Sequence, residues 1–384
     1  MLAIQSLTAL AMVAVPVLAP AAAPDLGVPV TFAGMFVGAV YLGAMWATLC
    51  SGSLVRRFGA VRVSQAALLA CAAGLLVLLP GSRWLLLPSA LLIGFGYGPI
   101  TPASSHILMR STPAHLMSLT FSIKQTGVPL GAMLAGLVLP PMVLAVGWRG
   151  GALGAALACI AVALLAEPTR RQLDTDIEPG LALSLQHVGA PIKLVWSTPA
   201  LRLLGISSFF FSATQVSLTT FLLPYLTSRM HLSLIAAGAI FSVAQGAGVA
   251  GRIFWGYLAD RRVAPPLMLG ALALTGALAA VATALIAPGS GAVLLTILFA
   301  VYGAVAIGWN GVYLAAVARA APRGHAGMAT GGSLAITFCG AVIGAPAIGL
   351  LSEASGSYGI GFVAVSALSA LCGMALVRKR QAFP

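Results

Sequence analysis

The chain has 384 residues, of which 60% are hydrophobic and only 7% charged, and its formal net charge is +13. Soluble domains carry about 25% charged residues, so this composition excludes a water-soluble fold and points to an integral, all-α membrane protein. Cys50, Cys71, Cys159, Cys339 and Cys372 stand singly in apolar runs, with no C-x-x-C pair or Cys/His cluster, which argues for small packing residues and against a disulfide framework or a metal site.

A helix needs about 20 mostly apolar residues to cross a bilayer. Runs of that kind predict twelve spans, near 3–22, 31–52, 64–80, 84–108, 116–141, 149–166, 203–226, 234–257, 267–287, 291–316, 328–351 and 358–377. The first 22 residues lack a basic leading region, and "AAAPD" would put proline just after a cleavage point, so they read as a first span and not as a signal peptide. Sixteen basic residues fall in one set of loops or at its helix ends, against Arg83, Arg149 and Arg229 in the other. The positive-inside rule then predicts that both termini are cytoplasmic. Positive charge spread over short loops leaves no basic domain for nucleic acid. The only long polar stretch, 167–202, holds four of the seven acids and divides the spans six and six. The expected plan is a bundle over 1–166, a cytoplasmic linker over 167–202 and a bundle over 203–384 with a short basic tail. The linker reads chiefly as a connector, in part an amphipathic helix at the interface.

The halves echo each other. "GSLVRRFGAVR" (52–62) follows the second span and "GYLADRRVAPP" (256–266) the eighth. "SIKQTGVPLG" (122–131) aligns without gaps to "AITFCGAVIG" (335–344), pairing Gly127 with Gly340 and Gly131 with Gly344. G-x-x-x-G spacing puts both glycines on one helix face, where another helix backbone can approach closely.

On these residues the whole chain resembles the major facilitator superfamily, whose loops after spans two and eight read roughly G-x-L-a-D-R-x-G-R-[RK]. Gly256, Leu258, Ala259, Asp260 and Arg261 follow that pattern; so do Gly52, Leu54, Arg57 and Gly59, but Arg56 stands where the family usually has aspartate. The resemblance implies two pseudo-symmetric six-helix bundles around a central cavity, alternating access by rocking, and a monomer. Spans one, four, seven and ten would line the cavity. Gly52, Arg56, Arg57, Gly59, Arg252, Gly256, Asp260 and Arg261 would form a cytoplasmic gate, although loop basic residues also serve simply to set topology.

Within the spans the informative feature is that no carboxylate sits at mid-membrane, since all seven acids lie in loops or at span ends. That counts against a cationic-drug/proton antiporter, which needs a buried acid. Lys124 is the one basic residue well inside a span, about 12 Å deep at 1.5 Å per residue. An ammonium there costs about 2.5–3.5 kcal/mol to insert, so it faces a cavity or a partner, binding an anion or taking part in gating, unless its stem snorkels to the headgroups. In the fourth span, "GFGYGPITPASSHIL" carries helix-breaking Pro99 and Pro102, with Tyr97, Thr101 and Ser104 as candidate solute contacts; packing explains its glycines equally well. His106, near the end of that span, is the candidate for proton coupling, or a satisfied structural histidine. Gln215, Gln245, Trp309 and Asn310 complete a mildly polar, aromatic set with Gln125.

The leading expectation is therefore a secondary or facilitative transporter of a small organic anion such as a monocarboxylate, with a co-transported proton as an option. The alternative is efflux of neutral or amphipathic drugs, although Pro129 falls inside the G-x-x-x-G and spoils the match to the exporters' fifth-span pattern. A membrane enzyme would need a nucleophile–base pair, a metal cluster or a sizeable extramembrane domain, and none is visible; no cofactor is expected. The expected setting is a bacterial inner membrane, with the lipid bilayer and a small-molecule substrate as partners and no nucleic acid.

Overall fold

The computed structural model describes residues 1–113, 120, 123–178, 180, 189–322 and 325–379, and of Asp260 and Ala326 the backbone only. Helix is the dictated element, because a backbone in hydrocarbon must satisfy its N–H and C=O groups within its own segment. Among the described residues, eleven helical segments are long and apolar enough to cross a membrane. The chain divides into two compact units, residues 1–30 with 39–186, and 31–38 with 187–384.

The first unit contains α1 (Leu2–Leu26), most of α2 (Ala33–Phe58), α3 (Ala60–Val77), α4 (Leu86–Tyr97), α5 (Ile100–Ser111), α6 (Gly127–Leu165) and the short α7 (Glu167–Leu173). Three prolines lie inside α1, which ends on Gly27 in the left-handed conformation, φ 63°, a stop that favours glycine. α1 packs on α6 through the predicted face: a Cβ on Gly131 would overlap the Ser6 carbonyl oxygen, and Gly127 lies against the Gln5 methylenes.

α6 holds the expected fifth and sixth spans in one segment. It runs for 39 residues, and Gly147, at φ 74° and ψ 171°, breaks it in two. The arms fold onto each other, with Gly154 against Met142 and Gly151 facing Leu139 and Val143. At this turn Asp25 accepts from Trp148 Nε1 (2.8 Å) and pairs with Arg149 (3.0 Å), whose guanidinium lies over the Trp148 ring.

The second unit contains α8 (Gly189–Ser197), α9 (Pro199–Ser228), α10 (Leu234–Arg261), α11 (Pro265–Leu285), α12 (Ala292–Ala306), α13 (Asn310–Ala320), α14 (Ala326–Ser355) and α15 (Tyr358–Arg378). The packing of the first unit recurs here. Gly340 and Gly344 on α14 admit Phe209 and Ala213 of α9 in the way that Gly127 and Gly131 admit α1. Close glycine contacts also seat α12 on α10 (Gly303 against the Ala244 carbonyl oxygen) and α15 on α11 (Gly373 against Gly270). The predicted fourth and tenth spans are each interrupted, between Tyr97 and Ile100 and between Ala306 and Asn310.

Candidate functional site

Lys124 and Gln125 occupy a helical turn just ahead of α6, where Thr126 ends the turn by donating its hydroxyl to the Ile123 carbonyl (2.6 Å). The Lys124 side chain is only 4% exposed, and its ammonium donates to Gln125 Oε1 at 3.1 Å. Gln5, which no sequence argument singled out, enters the same neighbourhood because Gly127 lets α1 approach. Gln5 is buried and its Oε1 has no hydrogen-bond partner among the described residues. A glutamine in a largely apolar first span was the signal available for it.

The fourth-span candidates separate. Tyr97 is half-buried, with its ring edge-on to Tyr41 at 6.1 Å. Thr101 is half-buried on α5. Ser104 is fully buried and its hydroxyl donates back to the carbonyls of Ile100 (2.7 Å) and Thr101 (3.0 Å), so it faces the unit's own packing. The glycines here are scaffold: Gly94 and Gly98 lie on the Val40 and Ala44 carbonyls, and Gly96 on that of Ala67. The Gly98 carbonyl at the interruption is taken by Thr48 (3.0 Å) and is not held open for a solute.

In the second unit, Trp309 and Asn310 sit where α12 gives way to α13. Gln215 Oε1 accepts from Trp309 Nε1 (2.9 Å) and from Asn310 Nδ2 (3.0 Å). The amide NH2 of Gln215 and the Oδ1 of Asn310 are left without a partner among the described residues. The indole is edge-on to Phe211 (5.4 Å) and Tyr313 (5.2 Å). Gln245 is buried and donates to Thr219 Oγ1 at 3.2 Å, one turn beyond Gln215 on α9. A cavity of about 20 Å³ beside Trp309 is lined by Thr214, Ser366, Ser369 and apolar residues. Thr337, the repeat partner of Lys124, donates to Ser208 Oγ and the Ser333 carbonyl, both at 2.9 Å. The equivalent position of the second unit is therefore a packing contact.

The loop residues also divide. Gly52 and Gly256 face open space. Arg57 lies over the ring of Phe58 at 5.3 Å, and Arg261 over that of Tyr257 at 4.7 Å. Arg252 donates to the Ile307 carbonyl (3.1 Å), which caps the end of α12. The side chain of Asp260 lies outside the described residues. Arg56 pairs with Glu178 at 2.7 Å, and Gly59 adopts φ 94°. His106 Nε2 meets Asp176 Oδ2 at 2.7 Å, and Arg110 pairs with the same carboxylate. Burial pushes the Asp176 carboxyl up, but the His106 hydrogen bond and the His106 and Arg110 charges together hold it below the usual aspartate value.

The family model described as Major Facilitator Superfamily matches residues 1–332. The chain belongs to the Major Facilitator Superfamily. It is accordingly a multi-pass membrane transporter and not an enzyme. Its fold is shared by solved members at low identity. A bacterial homologue of the human lysosomal transporter Spinster, inward-facing and occupied, superimposes with a TM-score of 0.75 at 15% identity, over 98% of this chain and 95% of that one. The peptide transporter POT in complex with sulfate gives 0.76 at 18% identity over 98% and 92%. The nucleoside transporter NupG gives 0.77 at 16% over 98% and 98%. No curated protein sequence matches the chain.

Proposed function

We propose that this superfamily member carries a small organic anion, such as a monocarboxylate, by alternating access, with Lys124 holding the carboxylate. The observation that carries this reading is a nearly fully buried ammonium, 4% exposed, turned onto a neighbouring amide within a membrane span. An ammonium in that setting is costly and marks a functional position. The Gln125 amide fixes its direction, and the unpartnered Gln5 oxygen supplies an acceptor for a hydroxyl or amine on the same solute. In the second unit, the Gln215 amide and Asn310 carbonyl supply a separate donor and acceptor beside the Trp309 ring. A similar structure is that of a POT family transporter in complex with 5-aminolevulinic acid, a small solute that bears a carboxylate, which supports the size class.

Several finer features belong to the same proposal. The two arms of α6 count as separate traverses, which makes twelve, and the bias of basic residues puts both termini in the cytoplasm of a bacterial inner membrane. The transporter works as a monomer. Any coupled proton travels with the substrate or by way of His106. The aromatic edges around Trp309 favour a second reading, efflux of neutral amphipathic compounds. A thermal-shift screen of the purified protein against organic anions, cations and neutral amphiphiles separates the two. Stabilisation by anions that disappears in Lys124→Ala supports the anion reading, and stabilisation by cations or neutral compounds alone overturns it.

A further inference from the structure

The linker carries an unexpected density of contacts to the first unit. After α7, Leu173 packs onto a cluster of Val55, Val61, Ala103 and Ile107. Asp174 then accepts from the backbone N–H groups of Val61 (2.8 Å) and Arg62 (3.1 Å), the first turn of α3. Thr175 Oγ1 accepts from Arg110 (3.0 Å), Asp176 meets His106 and Arg110, and Glu178 forks onto Arg56 while its own N–H donates to the Arg56 carbonyl (2.8 Å). Upstream, Glu167 accepts from Gln65 (2.9 Å) and Arg170 (2.8 Å) and lies 3.7 Å from Arg62.

Gly59 explains why this fits. It is the N-cap of α3, at φ 94°, and has no side chain with which to cap the helix. A Cβ there would overlap the Asp174 carboxylate. The orphan donors of the first turn need an acceptor, and negative charge is favoured at a helix N-terminus. The acceptor comes from a residue more than a hundred positions later. Arg56, meanwhile, stands where an acid would be expected in this loop, and it finds its carboxylate in Glu178.

We propose that the face made by Arg56, Gly59, the α3 N-terminus, His106 and Arg110 is a docking surface for an acidic peptide, and that its occupant is the chain's own segment 173–178. The linker is then a seated strap joining α2, α3 and α5 at one end of the first unit. It supplies in cis the carboxylates that the 52–62 loop lacks. Its acids fall on every second residue, at 174, 176 and 178, which suits a non-helical segment presenting one side to a basic face.

Hydrogen–deuterium exchange of the purified full chain tests this at peptides covering residues 58–68, with tryptic cleavage after Arg170 and Arg171 as a second readout. Asp174→Asn and Asp174→Ala should speed exchange of the Val61 and Arg62 amides about fivefold, the equivalent of losing one N-cap. Arg56→Glu and Glu178→Arg should each hasten linker cleavage, and the double swap should restore it. Asp25→Asn, at the Gly147 turn, should leave both readouts unchanged. The unsubstituted chain gives an independent arm: raising salt from about 0.1 to 1 M shortens the screening length from about 10 to about 3 Å and should increase cleavage. Unchanged exchange in both Asp174 variants, or additive effects in the swap, would overturn the strap.

Discussion

At the scale of single residues, Lys124 and Gln5 make opposite demands on the protein. A buried acceptor without a partner costs about 1–3 kcal/mol. Gln5→Leu is therefore expected to raise the melting temperature while weakening anion binding, as read by a thermal melt and by equilibrium binding on one preparation. A variant that lost stability and kept affinity would show that Gln5 only packs. The carboxylates of the linker act through pH. Hydrogen bonds from Gln65 and Arg170, with the Arg170 and Arg62 charges, hold Glu167 below its usual value against a smaller opposing effect of desolvation, and Asp176 is likewise depressed. For depressed acids the stabilisation is complete above the unfolded-state pKa and disappears as pH falls through the folded one. Stability from these two groups should thus be level around neutrality and decline below about pH 4. A decline centred near neutrality would place the controlling titration elsewhere.

At the scale of helices, glycine decides which pairs approach. Gly131 and Gly340 each face a backbone carbonyl oxygen of the partner helix, which cannot rotate away as a side chain can. Gly131→Ala and Gly340→Ala should each cost about 1–3 kcal/mol by overpacking, measured as a loss of thermal stability in detergent. Gly256 is also inside a helix but faces open space. Gly256→Ala should be neutral or stabilising by up to about 1 kcal/mol, and any loss of transport in that variant would be a gating effect and not a folding one. These helix contacts were legible in advance, because the repeated G-x-x-x-G spacing states both the face and its pseudo-symmetric copy. The strap was not. Its partners are far apart along the chain, Asp174 lies in a polar stretch that reads as a connector, and Gly59 reveals its role only once the α3 N-terminus is seen to need an acceptor. The start of the sixth span, expected at 149, lies within two residues of Gly147, which turns the chain although no polar loop marks the place.

At the scale of the whole molecule, the twofold sequence echo and the family membership agree on a transporter, and the differences between the halves carry the substrate reading. Where the second half uses Thr337 for a packing hydrogen bond, the first half buries an ammonium. Tyr97, Thr101, Trp309 and Asn310 were identifiable as polar or aromatic groups inside apolar spans. Which of the polar candidates bond within the protein depended on rotamers and partners, as the back-bonded Ser104 and the Thr219-bound Gln245 show. The most direct test of the central claim is uptake into proteoliposomes of radiolabelled lactate and pyruvate, comparing the unsubstituted protein with Lys124→Ala and Lys124→Arg. Saturable uptake of at least one of these anions, abolished by alanine and partly retained by arginine, is the predicted result. Anion uptake that survives Lys124→Ala unchanged, or uptake confined to neutral and cationic compounds, would contradict it.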